Sequence, residues 1–466
     1  MLLFRLLRFG VPVLGIVALL LSIAPLEAAT SSKPKLTAHT AARPKTAPKP
    51  YAKTTSAQKP VAKPTAKSTY IAKAQPKTTT TAKTASVHKP PAKPVAKAPA
   101  KPPVPKVAAA PPSIAIAHLG EGVLYKRFQK RLASGPVRVS VLEIDPQASG
   151  IEIMPVLAHG KMGGKTSVAN MVNQHQAIAG INGSFFKPDV GIPLGILMIN
   201  QELISGPIYD RVALGITKDN RLVMDRVHLA GEVVLPNGHR VALHNVNQPR
   251  VNEGHTVLYS ARWGYRAPKV PADGLQILLR NGRIAAVSTT QPLDIPPDGM
   301  VISGTRSPAL QELASLPLQT PVQVNVYTLP DWSGMKHAIG GGPWLVRNGR
   351  PYVDLTAQHF STKGLGHREP RSAVGITKDG KMLLVAVDGR QAGSIGMTLW
   401  ELSHLMQELG AEQAMNLDGG SSTQMAVRGR IVNQPSAGQI GVSNSLIVRQ
   451  LNQDNMALQN KNENAF

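Results

Sequence analysis

The sequence predicts an α+β protein: a mixed β-sheet domain with a few helices, preceded by a disordered stalk. Three observations predict it. Residues 30–112 are mostly Lys, Pro, Ala and Thr, a composition that buries too little apolar surface to offset the entropy of ordering. From Ser113 onward the aliphatic content is that of a globular protein, and short apolar runs alternate with Gly, Pro and Asn turns. Two pairs of segments echo each other within that stretch, which predicts two related halves.

Taken in order, residues 1–29 have the grammar of an export signal. Arg5 and Arg8 precede an uncharged apolar run from Val11 to Ala24, then Pro25 and the small pair Ala28–Ala29. The run is short for a membrane span, which needs about 20 residues, so cleavage near Ala28 or Ala29 is expected; an uncleaved signal anchor is the alternative. The stalk, 30–112, repeats units such as KPVAKPTAK. Frequent proline favours an extended chain of about 3.1 Å per residue, hence on the order of 250 Å in all. It reads either as a spacer or as a solvated linker without a partner.

The folded domain is expected over 113–449, followed by a polar tail, 450–466. Val137–Ile144 alternates like a half-buried strand. Ser167–His175 predicts a short helix leading into an apolar strand, Ala177–Ile181. Arg211–Ile216 and Leu222–Met224 predict a hairpin around Lys218-Asp219-Asn220. Strand-like pieces such as GLQILLRNGRIAAV and PVQVNVYTL fill the region from Val227 to Pro330. RVALGITKDNRLVM at 211–224 echoes RSAVGITKDGKMLL at 371–384, and GILMINQELI at 195–204 echoes GPWLVRNGRP at 342–351. A third likeness, helix–strand–NGS against helix–strand–DGG, occurs in a different order and argues against a simple tandem repeat.

Charge and cysteine content narrow the function classes. The net charge is +25, but the stalk alone has sixteen Lys and one Arg against no Asp or Glu. Only Tyr51 and Tyr70 stand among those charges, so nucleic acid is disfavoured and an anionic envelope polymer is an equally good electrostatic partner. No cysteine is present, which removes thiol nucleophiles, disulfides and Cys-based zinc sites.

The densest grammar is GMTLWELSHLMQELGAEQAMNLDGGSSTQMAV. Thr398 suits a helix N-cap with Glu401 closing a capping box, Leu402, Leu405, Met406 and Leu409 recur at helical spacing, and Gly410 suits the end. A buried strand, Gln413–Leu417, should then emit Asp418-Gly419-Gly420-Ser421-Ser422. A carboxylate at a strand end is held rigidly yet faces a cleft, and the glycines let a phosphate or sugar approach backbone N–H donors. Alone, D-G-G is equally a connecting turn. NGSFF at 182–186 repeats the pattern, and GGGPW at 340–344 is a second glycine-dense loop whose Trp344 either stacks on a sugar or packs in the core. Arg371, at the start of a strand, is placed to grip a phosphate or to form a structural ion pair. Asp388 and Arg390 follow another apolar strand, where Asp388-Gly389 could be a plain turn.

INGSFF, GGGPWLVRNG, PRSAVGITKDGKMLLVAVDGR, the 396–422 segment and the closing VSNSLIV together resemble the phosphodiester glycosidase family, over roughly Val137 to Arg449. The resemblance implies site positions at Asn182 and Gly183, Arg371, Asp388 and Arg390, Asn416, Asp418, Gly419 and Gly420, and Asn444. Ser372 stands for the usual Thr, and Ser184 and Ser421 stand where further glycines are common, each adding a side chain near the expected site.

The implied activity is hydrolysis of a glycosidic bond to an anomeric phosphodiester by an exported envelope, periplasmic or secreted enzyme. Asp418 is the first choice for nucleophile or base, Asp388 the second, with Arg371 and Arg390 neutralising the leaving phosphate. Ser184, Gly341, Gly342, Ser421 and Ser422 complete the expected substrate contacts; Glu401 is excluded because capping explains it. No cofactor is required on this reading, although Asp388, Asp418 and Asn416 are oxygen donors of the kind calcium prefers. His359 and His367 lie in a Gly-rich loop that could reach the cleft. A non-catalytic binder of wall glycans or anionic polymers is the alternative.

Overall fold

The computed structural model describes residues 114–451. The expected signal, stalk and the tail beyond Leu451 lie outside the described residues. Strands dominate, in several sheets with a few short helices, so the mixed α+β expectation holds with a bias towards β.

The largest sheet has eight antiparallel strands. In spatial order they are Ala115–Gly120, Val123–Leu132, Gly135–Ile144, Met382–Val387, Arg371–Thr377, Ala411–Asn416, Trp344–Arg347 and Arg350–Pro351. A second sheet runs Leu222–Arg226, Val212–Thr217, Met335–Gly340, Leu197–Ile199, Glu202–Ser205. A third runs Arg430–Ile431, Met425–Val427, Ala179–Asn182, Asn444–Gln450, Ile151–Leu157. All three turn apolar faces onto one core, with Leu384, Val374 and Met415 from the first, Leu214, Ile216 and Ile339 from the second, and Ile153, Ile181 and Leu446 from the third. Trp344 packs in that core at 4% exposure, which answers the choice between stacking and packing.

Helices cover the outer faces. Leu399–Glu408 begins at Thr398 with the predicted capping box and lays Leu402, Leu405 and Met406 against Val139, Val385 and Ala414 of the large sheet. Burying each such side chain stabilises by about 1.5–3 kcal/mol. The helix Val168–Gln174, capped by Ser167, packs Met171 and Val172 on Ile447 and Ala426 of the third sheet. The region from Val227 to Pro330 forms two smaller sheets and the helix Pro308–Ser315 around a separate cluster that includes Val233, Ile277, Ile302 and Leu310.

The echoes occupy equivalent places. Val212–Thr217 lies between Leu222–Arg226 and Met335–Gly340, just as Arg371–Thr377 lies between Met382–Val387 and Ala411–Asn416. The next neighbours, Leu197–Ile199 and Trp344–Arg347, are the second echoing pair. Ala213 faces Gly340 and Ala373 faces Asn416, and both ladders shift register between Ile and Thr, at 216/217 and 376/377. The two TKD turns match in detail: the hydroxyls of Thr217 and Thr377 donate to Asp219 and Asp379, both at 2.5 Å.

Candidate active site

Antiparallel pairing decides where the loops meet. Because Ala373 pairs with Asn416, and Arg371 with Val387, three strand ends arrive together: the start at Arg371, the exit at Asp418 and the exit at Asp388. The Leu417 N–H donates to Ser372 O at 2.8 Å and the Gly420 N–H to Pro370 O at 2.8 Å. The third sheet supplies Asn182, whose Nδ2 donates to Asp418 O at 2.6 Å while its Oδ1 accepts from the Ser372 hydroxyl at 2.7 Å. The Asp418 N–H donates to Gly183 O at 3.1 Å, and the Gly342 N–H of the second glycine loop donates to Asn416 O at 2.7 Å.

The three asparagines are braces. Asn182, Asn416 and Asn444 are buried, at 1%, 0% and 1% exposure. Asn416 Nδ2 donates to Gly342 O at 3.1 Å and to Leu417 O at 2.6 Å. Asn444 Oδ1 accepts from the Ser184 N–H at 2.8 Å, and its Nδ2 donates to the Ser184 hydroxyl at 3.0 Å. Gly183 is needed at this joint, since a Cβ there would lie 2.0 Å from Asn444 Oδ1. These residues were expected to touch substrate; the bonds above tie the strand ends to each other, and Asn416 Oδ1 is left without a hydrogen-bond partner among the described residues.

What stays partly open is the loop itself. Asp418, Gly419, Gly420 and Ser421 are half-buried and Ser422 is buried. Desolvation pushes the Asp418 carboxyl up to about 6, against the opposing pull of the Ser422 hydroxyl and the Gly419 N–H, which donates to its Oδ1 at 3.1 Å. A carboxyl tuned into that range suits a group that changes protonation near neutral pH. Arg390, exposed and in a left-handed backbone conformation at φ 61°, lies over the loop. Its Nη1 donates to the Ser421 hydroxyl at 3.0 Å, its Nε pairs with Glu369 at 2.6 Å, and its Nη2 is 3.3 Å from where a Gly420 Cβ would be.

Arg371 and Asp388 sit beside the loop but are largely committed. Arg371, 1% exposed, donates from Nε to Met397 O at 2.9 Å and from Nη2 to Leu365 O at 2.9 Å and to His367 O. It is thus neither a free fork for phosphate nor half of a carboxylate ion pair. Its Cδ is still only 3.9 Å from the position of a Gly419 Cβ, so guanidinium base and carboxylate loop do share one side of the sheet. Asp388, 2% exposed, accepts at Oδ1 from the Gln434 N–H at 2.8 Å and from Asn433 Nδ2 at 3.1 Å. Burial raises its pKa. That geometry gives it the job of holding the 433–434 turn. Glu401 closes its capping box and pairs with Arg368.

Several residues near this centre were not among the expected site residues. Glu369 orients Arg390. Arg211 lies 3.7 Å over the Phe360 ring, and Phe360 packs on Phe185, three residues beyond Asn182, with centroids 5.6 Å apart. The echo of RVALGIT with RSAVGIT pairs Arg211 with Arg371 and was the signal available; nothing comparable marked Phe360. Among the described residues no three His, Asp or Glu side chains gather as a metal site, and no helix is long and apolar enough to cross a membrane.

With this geometry in hand, the similarities to known proteins fall into place. Residues 273–449 match the sequence model of the phosphodiester glycosidases. The likeness to the phosphodiester glycosidases is thus carried by that stretch of the chain. A mouse N-acetylglucosamine-1-phosphodiester alpha-N-acetylglucosaminidase is 32% identical over 107 residues, 21% of this chain and 20% of that one. The SPbeta prophage-derived protein YomE of Bacillus subtilis is 36% identical over 105 residues, 22% of this chain and 16% of that one. The chain thus matches about a fifth of the length of these curated relatives. A crystal structure of a hypothetical protein from Synechocystis superposes with a TM-score of 0.67 at 27% identity, covering 73% of this chain and 64% of its own. The phosphodiester glycosidase match takes in Asp388, Arg390 and the Asp418 loop, and leaves Asn182 and Arg211 to the part outside it.

Proposed function

We propose that the protein is an exported hydrolase that cleaves the glycosidic bond of a sugar linked through its anomeric carbon to a phosphodiester in an envelope or extracellular glycan. The observation that carries this reading is the half-open Asp418-Gly419-Gly420-Ser421 loop, which bears a raised carboxyl and is bonded at Ser421 to the Arg390 guanidinium of a neighbouring loop. In the proposed reaction the bond from the anomeric carbon to the phosphate oxygen breaks, and the phosphate leaves as an anion. Arg390, with the Ser421 hydroxyl beside it, takes up the charge that develops there. Asp418 as carboxylate either attacks the anomeric carbon, to be displaced later by water, or removes a proton from the attacking water. Both routes give a free sugar and a phosphomonoester. A phosphate leaving group lessens the need for a strong general acid, in keeping with a single accessible carboxyl on the loop.

Arg371 and Asp388 support this chemistry from behind by fixing the loops, and the three asparagines fix the strand ends. No cofactor enters the proposed steps. The export signal and the basic stalk, read from sequence, would deliver the domain to an anionic envelope polymer.

The test is incubation of the purified protein with a panel of sugar-1-phosphodiesters, with and without a chelator, and detection of free sugar and phosphomonoester. Release that survives chelation supports the reading as stated. Release abolished by chelation and restored by calcium assigns a cation to the site. Binding without release across the panel replaces the hydrolase by a glycan-binding module.

A further inference from the structure

The two equivalent arginines grip the same segment. Arg211 Nε donates to Gln358 O and its Nη2 to His359 O, both at 3.1 Å. Arg371 Nη2 donates to Leu365 O and His367 O at the other end of that segment. Each arginine opens the corresponding strand of its half of the fold, beside the corresponding glycine-bearing strand exit: Gly341 beside Val212, and Leu417 beside Ser372. Further bonds fasten the near end. Arg226 Nη2 donates to Ala357 O at 3.1 Å, and Gln358, buried, accepts the Val212 N–H at 3.2 Å. Burial lowers both guanidinium pKa values to about 10, which leaves them cationic at neutral pH.

Between the two grips the chain is mostly exposed, with one exception. Phe360 turns inward, half-buried, with Arg211 over one side of its ring and Phe185 against it. A Cβ on Gly342 would be 2.8 Å from Phe360 Cε2, so the ring lies directly on the glycine loop that is bonded to Asn416, two residues before Asp418. Aromatic rings commonly orient a sugar by its apolar C–H face, and this one packs on the glycine loop bonded to the strand end before Asp418.

We propose that residues 358–367 form a strap fastened at its two ends by Arg211 and Arg371, and that Phe360 on it stacks against the sugar ring of the substrate. This rests on the hydrolase reading for the identity of the ligand, but makes its own claim about binding.

The experiment uses the full chain and a panel of hexose and N-acetylhexosamine 1-phosphates, with binding followed by saturation-transfer NMR. Phe360→Ala should weaken the best ligand by about tenfold or more, and Phe360→Trp should restore most of the affinity. In parallel, Arg211→Gln should speed tryptic cleavage after Lys363, an exposed residue on the strap, by roughly fivefold or more. Thermal unfolding of each variant shows that the fold is retained. Unchanged affinity in Phe360→Ala, no binding to any ligand by the unmodified protein, or unchanged cleavage in Arg211→Gln overturns the inference. Tight, Phe360-dependent binding without hydrolysis of the matching phosphodiester would instead sink the hydrolase reading and leave the strap standing.

Discussion

Asp418 is held in a form that costs folding energy at neutral pH. Its carboxyl titrates near 6 in the folded protein, above the ordinary 3.8. Between about pH 4 and pH 6 the folded chain therefore binds more protons at this group than the unfolded chain does. Its contribution to stability falls as pH rises through that window and stays low above it. Replacing Asp418 by Asn removes the ionisation, so D418N should be more stable at pH 7 by on the order of 1–3 kcal/mol, measured by denaturant titration, while losing turnover. A structural carboxylate would behave the other way and lose stability. The sequence marked Asp418 as a strand-end carboxylate and ranked it above Asp388, but it could not show which of these residues and the asparagines brace the strand ends. All stand at strand ends in polar sequence; only the fold shows that Asp388 and the asparagines turn inward to brace neighbours.

At the scale of elements, the joint between Ala179–Asn182 and Asn444–Gln450 is the tightest part of the site. Gly183→Ala would drive a methyl into Asn444 Oδ1 and to 2.9 Å from Ile339 Cδ1. Such overpacking should cost about 1–3 kcal/mol and lower activity by displacing Asp418, whose N–H bonds to Gly183 O. Gly254→Ala, where nothing lies within 4 Å, should stay within about 0.5 kcal/mol of the parent in the same unfolding experiment. Strand, helix and turn signals were legible where alternation or capping was strong, as in Gly135–Ile144 and the helix after Thr398. The strands Ala115–Gly120 and Val123–Leu132 were missed. Their exposure explains it: an edge pair reading VLYKRFQKRL has few buried positions to mark a period.

For the whole molecule, sheet order carries the most information. Two equivalent five-strand arrays and the third sheet converge on one core, and the candidate site exists only where their strand ends touch. The echoes hinted at this duplication, but long-range pairing, such as Ala373 with Asn416, is not written in local sequence. The Val227–Pro330 region has its own apolar cluster, apart from the shared core. Amide hydrogen exchange should therefore find its strands opening as a unit distinct from the core strands Val374–Ile376 and Leu446–Val448, rather than in one global step. The most direct check of the chemistry is the pH dependence of kcat/KM on a cleaved sugar-1-phosphodiester, for the parent and D418N. With Asp418 acting as carboxylate, activity should rise with pH through an inflection near 6, and D418N should lose at least about a thousandfold while still binding ligand. A D418N variant that keeps both the rate and the inflection would place the reacting carboxylate elsewhere.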